Sequence, residues 1–146
     1  MSTHDIEEMG PVDYIVLEWP GRQPKGDAAP LIVDLVERGI IRVLDVAFMI
    51  KNEDGTVDSL EFGELEDGGF GEFEGASSGL IGRDDLEEAA TALEPGTAAA
   101  VMIWENRWAA PVAVALRRSG GQLVASGRIP IQAIVASLEA VEATTP

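Results

Sequence analysis

The sequence predicts an α+β fold with a ferredoxin-like, split β-α-β core and a mainly antiparallel sheet. Three observations support this prediction. The apolar run within residues 97–108 (TAAAVMIWENRW) is typical of a strand with both faces covered and a neighbour on each side. Asp54-Gly55 between two apolar stretches indicates a hairpin. Strand and helix periodicities follow one another in the order β-α-β-β-α-β, and an α-β-α unit comes after them.

The first half of the chain contains three of the predicted strands. Val12–Trp19 is apolar almost throughout, which is typical of a central strand. A helix follows it, with Asp27 as the N-cap, Pro30 in the first turn and Gly39 at the end. The two strands of the hairpin are predicted at Ile41–Lys51 and at residues 56–62.

The second half begins with residues 63–82, which are glycine-rich and acidic and are predicted to form a long, partly ordered loop. Helices are expected at residues 83–93 and 109–119, and a last helix opens at Pro130. A fifth strand at residues 122–129 is expected to extend the sheet past the central apolar strand.

The chain is long enough for one domain with a substantial core, which we expect at residues 11–143. Residues 1–10 are expected to form a flexible tail, and residues 144–146 are expected to fray. The absence of cysteine excludes disulfides, thiolate metal sites and thiol nucleophiles. No apolar run reaches the length of a membrane span, so a cytoplasmic location is expected.

The formal net charge of −16 argues against non-specific binding to nucleic acid or to anionic membranes. The charge is also unevenly distributed. Residues 53–94 contain fourteen acidic residues and one basic residue, Arg83, whereas residues 106–138 contain four arginines and no acid. One interpretation is a solvated acidic face; the other is head-to-tail self-association, in which the basic region of one copy meets the acidic face of the next.

Residues 50–61 come close to the pattern of a calcium-binding EF loop. With Gly55 aligned to the glycine of that loop, the oxygen-ligand positions hold Asn52, Asp54, Asp58 and Glu61. The first ligand position, however, holds Ile50, and both flanks are predicted strands where an EF-hand has helices. The pattern therefore favours a hairpin turn, and no metal or other cofactor is expected.

Catalysis has little support in the sequence. His4 is the only histidine, so one chain cannot assemble a histidine-centred triad, and no catalytic residue is predicted. Glu18 and Glu105 end two strands that we place side by side, but antiparallel pairing puts those ends at opposite edges of the sheet. They are expected to be polar strand ends; a small-molecule site or a carboxylate enzyme would need a cleft near Glu18, Trp19, Glu105 and Arg128.

Residues 105–108 (ENRW) are the chemically most mixed stretch. Asn106 suits a helix N-cap, Arg107 could pair with an acid and Trp108 could anchor a ligand or a partner subunit. The alternative is structural, with Asn106 capping, Trp108 covering the sheet edge and Arg107 solvated. The candidate interface residues are Trp19, Phe70, Phe73, Trp104, Arg107, Trp108, Arg117, Arg118 and Arg128.

Four segments carry a resemblance to a known family: residues 10–14 (GPVDY), 36–45 (VERGIIRVLD), 93–97 (LEPGT) and 104–108 (WENRW). Over about residues 10–138 the chain resembles the actinobacterial domain-of-unknown-function family 6325. The resemblance implies a small cytosolic α+β protein and no catalytic residue. We therefore expect a non-catalytic, acidic module that self-associates or binds a protein partner, and a small-molecule-binding protein or a carboxylate enzyme is the alternative.

Overall fold

The computed structural model describes residues 8–65 and 68–144, and these residues form an α+β fold. The fold class predicted from the sequence is thus confirmed at this level. The strands are β1 (Val12–Trp19), β2 (Ile41–Lys51), β3 (Val57–Leu60) and β4 (Thr97–Asn106). The α-helices of the described residues are α1 (Ala29–Glu37), α2 (Arg83–Ala90), α3 (Ala110–Arg118) and α4 (Ile131–Thr144).

The four strands form one antiparallel sheet in the order β1-β4-β2-β3. The apolar strand β4 therefore has a neighbour on each side, as its sequence predicted. It pairs with β1 through Val16 opposite Val101 and with β2 through Met49 opposite Ala99. The expected ferredoxin-like arrangement is not confirmed, because β1, which we placed at the centre, lies at the edge of the sheet.

The hairpin between β2 and β3 is confirmed. The Asn52 N–H donates to the Thr56 carbonyl at 2.8 Å, and the Gly55 N–H donates to the Asn52 carbonyl at 2.9 Å. Gly55 has a φ of +87°, a backbone conformation that glycine adopts without the steric cost of a Cβ atom. The Asp-Gly pair therefore forms the turn that its sequence indicates.

One face of the sheet packs against α1 and a 3₁₀ helix at Gly68–Ala76. A 3₁₀ helix has three residues per turn, so Phe70 and Phe73 lie on the same side of it, and both are buried. The Phe70 ring lies 4.7 Å from the Phe48 ring, measured between centroids. Part of the predicted loop at residues 63–82 is therefore an ordered wall of the core; residues 66–67 lie outside the described residues.

The opposite face packs against α2. Met49 and Ala99 from the sheet are fully buried beneath Leu86, Ala90 and the following Leu93. Arg83–Ala90 is about one turn shorter than the predicted helix, because the N–H groups of Thr91 to Leu93 bond three residues back, in the tighter turns of a 3₁₀ pattern. This helix lies over the β2–β3 side of the sheet, which leaves the β1 side of the same face open.

The ends of α1 differ in part from the prediction. The N-cap is Ala28, without a side-chain hydrogen bond, so the assignment of Asp27 as the cap is wrong. Gly39 follows the helix with a φ of +73°, as expected of a residue that ends a helix.

The chain divides into two compact units, an N-terminal unit of Met1–Ala115 and a C-terminal unit of Leu116–Pro146. The sequence had indicated one domain over residues 11–143.

The fifth strand predicted at residues 122–129 is wrong, since residues 121–130 form neither helix nor strand and the side chains of 122–129 are exposed. A short apolar stretch is not sufficient for a strand, because a strand also needs a partner edge, and β1 and β2 already pair with the two edges of β4.

The two predicted termini are described only in part. Residues 1–7 and 145–146 lie outside the described residues, and Thr144 is the last residue of α4. Gly10, which we assigned to a flexible tail, is buried, and its N–H donates to the Glu105 carboxylate at 2.9 Å. The folded part of the chain therefore begins before Pro11.

Candidate functional site

The open part of the sheet face beside α2 is an apolar groove with a volume of ≈ 750 Å³. Strands β1 and β4 form its floor, and α2 and the residues immediately before it form its wall. Its main apolar side chains are Val12, Tyr14, Val16, Leu80, Val101 and Ile103. We call this surface the β1–α2 groove.

Several of these side chains are much more exposed than core residues are. Tyr14 is 72% exposed and Leu80 is 57% exposed, whereas Met49 on the covered half of the same face is fully buried. A large exposed tyrosine among aliphatic neighbours is a common anchor of protein interfaces, since its ring contributes apolar area and its hydroxyl contributes a hydrogen bond. The β1–α2 groove therefore exposes an aromatic side chain and several aliphatic side chains next to one another.

Carboxylates lie along one wall of the apolar floor. Asp85 and Glu88 of α2 line the groove, and none of its described lining residues is Lys, Arg or His. Asp13 also lines the groove, but its side chain alternates with that of Tyr14 along β1 and lies on the opposite face of the sheet. Asp13 Oδ2 accepts a hydrogen bond from Asn106 Nδ2 at 2.7 Å, and Asp85 Oδ2 accepts one from the Gly82 N–H at 2.8 Å. The groove thus combines an apolar floor with fixed negative charge at its rim.

A buried carboxylate positions one wall of the groove. Asp45 is 2% exposed and accepts hydrogen bonds from the backbone N–H groups of Val46, Ser78 and Ile81 at 2.7–2.9 Å. It lies where the pairing of β2 with β4 shifts by one residue, a β-bulge between Val43 and Asp45. Asp45 therefore ties the segment that carries Leu80 and Ile81 to the sheet.

Sequence reasoning did not single out Asp45, although a signal was present. It is the one acid in the otherwise apolar stretch of residues 43–50. A lone carboxylate in a buried strand needs hydrogen-bond donors, and this predicts a tether to a neighbouring segment without naming which segment.

The ENRW stretch forms a hydrogen-bonded cluster around Asn106. The indole N–H groups of Trp104 and Trp108 donate to Asn106 Oδ1 at 3.2 and 3.3 Å, while its amide donates to Asp13 and to the Pro11 carbonyl. Asn106 is the N-cap residue of a short 3₁₀ helix, the position predicted for it, but its side chain makes no capping hydrogen bond. Asn106 instead links β4 to β1.

Glu105, the second buried acid, is held at the same end of β4. Its Oε2 accepts a hydrogen bond from the Gly10 N–H. Arg42 Nε lies 3.0 Å from its Oε1 and forms an ion pair with it, but the Arg42 Nε–H makes no hydrogen bond. A Cβ atom on Gly10 would collide with the Asn106 carbonyl. The start of the GPVDY segment thus packs directly on the WENRW segment.

Glu18 lies far from Glu105. Glu18 pairs with Ala99 across the sheet, six residues along β4 from Glu105, which corresponds to about 20 Å. Glu18 Oε2 accepts hydrogen bonds from the Glu94 N–H at 2.8 Å and from the Thr97 hydroxyl at 3.2 Å. The structure therefore does not bring the two carboxylates together.

The candidate interface residues fall into different environments. Phe70 and Phe73 are core residues, and Trp19 is half-buried with its ring 6.2 Å from that of Phe70, so we do not include them in an interface. Trp108 is 67% exposed and Arg107 is exposed, while Trp104 is half-buried. Arg117, Arg118 and Arg128 lie in the C-terminal unit and are exposed.

The residues that come close to the EF-loop pattern hydrogen-bond within the hairpin turn instead. Asn52 Nδ2 donates to Asp58 Oδ2 at 2.8 Å, and the Thr56 hydroxyl and N–H both donate to Asp54 Oδ1. These hydrogen bonds hold the pKa of Asp54 below its ordinary value, mainly through the Thr56 hydroxyl. Within residues 8–65 and 68–144 there is no group of three His, Cys, Asp or Glu side chains placed to hold a metal ion.

Together these features define a small α+β protein with an acidic-rimmed apolar groove. The chain belongs to the family of unknown function DUF6325, whose sequence model matches residues 8–145. Neither the comparison with curated proteins nor the comparison with solved structures finds a match. Among the described helices, none combines the length and the apolar character needed to span a bilayer.

Proposed function

We propose that this protein is a non-catalytic interaction module that self-associates. The observation that carries the proposal is the β1–α2 groove, in which apolar side chains remain exposed on a sheet face that is elsewhere covered by α2. Exposed contiguous apolar surface of this kind marks interaction sites in proteins, because leaving it in water is unfavourable. A cytoplasmic location, expected from the sequence, is part of the proposal.

The uneven charge supports a partner of the same kind. The groove rim belongs to the acidic part of the chain, and residues 106–138 supply four arginines without any acid. Two copies therefore carry complementary charge for one another, whereas like-charged faces would repel. Opposite charges also give a self-associating protein a preferred orientation.

The alternative is a small-molecule-binding protein or a carboxylate enzyme. Its support is the groove volume, which falls in the range of ligand sites, about 300–1,000 Å³. The site that we considered for it near Glu18 and Glu105 has its two carboxylates at opposite ends of the sheet. Self-association therefore remains the better-supported proposal.

Native mass spectrometry over a range of salt concentrations tests this proposal. We expect a discrete oligomer at low salt that loosens as salt rises, because screening weakens contacts between exposed charges. A monomer at every salt concentration contradicts self-association. A monomer that carries a small additional mass contradicts it as well and favours the ligand-binding alternative.

A further inference from the structure

The β1–α2 groove defines the chemistry of its occupant. Its floor, with Tyr14 and its aliphatic neighbours, favours apolar side chains, and the carboxylates of Asp85 and Glu88 favour positive charge at its α2 edge. An amphipathic helix with flanking arginines meets both requirements, and laying the apolar face of a helix into a groove is a recurring mode of recognition.

The C-terminal unit contains such a helix. In α4, Ile131, Ile134, Val135 and Leu138 form one helical face and are 45–74% exposed. A segment of 31 residues is too short to bury its own apolar surface, so this face needs a partner. The segment before α4 carries Arg118 and Arg128, both exposed.

The lengths also agree. The apolar face from Ile131 to Leu138 covers eight residues, about 12 Å of helix, and α2 in the groove wall is also eight residues long. Glu139 and Glu142 follow this part of α4, so the acids of the helix come after the stretch that would meet the acidic rim. Charge and length thus favour the first two turns of α4.

We infer that the β1–α2 groove binds the first two turns of α4 from a second copy of this chain, with the basic segment before that helix facing the acidic rim. The inference rests on the proposed self-association and names its two surfaces. Two copies that exchange α4 reciprocally form a closed pair with two identical contacts. Apolar burial supplies the affinity, and the arginines orient the helix.

Two single variants test the two surfaces separately. Tyr14→Glu places charge on the groove floor, and Ile134→Glu places charge on the apolar face of α4; both positions are exposed in the structure. We expect each variant to weaken self-association at least about thirtyfold, as loss of an interface anchor does. Leu31→Glu, on α1 and 71% exposed, is the matched control and should associate like the natural protein.

Mixing the two variants is the decisive measurement. A Tyr14→Glu copy retains its α4 and an Ile134→Glu copy retains its groove, so an equimolar mixture should form a heterodimer through one intact contact, detected by native mass spectrometry. Far-UV circular dichroism of each variant checks that the fold persists. If a variant does not fold, Tyr14→Ser or Ile134→Ser replaces it.

Every other result overturns the inference. If the natural protein assembles and both variants assemble equally well, self-association stands but uses other surfaces. If both variants are monomeric and do not pair when mixed, α4 of a second copy is not the occupant. If the natural protein is monomeric and the variants only lower its melting temperature, the helix docks within its own chain, and the proposed function fails together with the inference.

Discussion

Two acidic side chains, Asp45 and Glu105, are almost fully buried, and both are held by backbone N–H groups. A buried carboxylate without donors is very costly, so each marks a place where two segments must meet. Asp45 meets the segment before α2, and Glu105 meets Gly10 and Arg42. These acids stabilise the frame of the groove, whereas the exposed acids give it its charge.

Asp54 provides a prediction about pH. Its folded pKa is lowered by the Thr56 hydroxyl and N–H, so this contact contributes stability above the unfolded pKa of the carboxyl and loses it as pH falls through the folded pKa. Thr56→Val removes the hydroxyl and keeps the N–H. We therefore expect the midpoint of Asp54, followed by NMR titration of its carboxyl carbon, to rise in this variant.

Thr91→Val is the control for this titration, because the Thr91 hydroxyl donates to the Glu88 carbonyl and not to a carboxylate. It should leave the Asp54 midpoint unchanged. An unchanged midpoint in Thr56→Val would show that the hydroxyl is not the main cause of the shift. Any stability difference between Thr56→Val and the natural protein should narrow as pH falls through the folded pKa of Asp54.

At the scale of elements, the hairpin turn and the apolar strand β4 could be predicted, because short stretches of sequence determine them. The Asp54-Gly55 pair specified the hairpin because few sequences accept the turn that joins two antiparallel strands directly. The apolar stretch in β4 specified a strand with two neighbours because both of its edges are paired and its residues 98–102 are buried. The hairpin and β4, which forms part of the groove floor, could therefore be predicted from the sequence.

The strand order was not accessible in the same way. The apolar character of Val12–Trp19 predicted a central strand, but β1 is an edge strand whose face toward the groove stays open. The pattern of apolar residues shows how apolar a strand is. It does not show whether another segment of the same chain packs on that strand. The groove is the part of β1 and β4 that no described segment covers, so its position could not be predicted from the sequence. The uneven charge suggested self-association but did not locate the groove.

The tether from β2 to the segment before α2 yields a prediction of its own. Asp45→Ala leaves the N–H groups of Val46, Ser78 and Ile81 without their acceptor. An unsatisfied buried donor costs about 1–3 kcal/mol, but only the Val46 hydrogen bond is fully buried and water can partly satisfy the N–H groups of Ser78 and Ile81. We therefore expect the free energy of unfolding to fall by about 2–4 kcal/mol in total. Urea denaturation measures the change.

Asp34→Ala is the matched control for Asp45→Ala. Asp34 forms an exposed ion pair with Arg38 at 3.3 Å, and pairs of this kind contribute at most about 0.5 kcal/mol. Equal unfolding midpoints for the two variants would contradict the structural role of Asp45. Amide hydrogen exchange should also accelerate at Ser78 and Ile81 in Asp45→Ala, since their N–H groups lose the carboxylate.

At the scale of the whole molecule, the N-terminal unit contains the buried core, whereas the C-terminal unit exposes the apolar side chains of α4. Both buried clusters of the sheet draw their residues from positions 16–101, within the N-terminal unit. The apolar side chains of α4 belong to a unit without a buried core among its described residues. This division is what a self-associating module needs, because the acceptor surface can be stable before a partner arrives.

A chain ended at Ala115 tests that division. We expect residues 1–115 to fold and to unfold in one cooperative transition, because they contain both buried clusters and all four strands of the described sheet. The control is a chain ended at Gly96, which lacks β4 and should not fold, since β4 pairs with both β1 and β2. Thermal unfolding followed by circular dichroism distinguishes the two. A disordered 1–115 chain would show that the core needs the C-terminal unit in order to fold. A folded 1–115 monomer that binds an added peptide of residues 116–144 would show that the N-terminal unit is stable alone and binds the helix as a separate molecule.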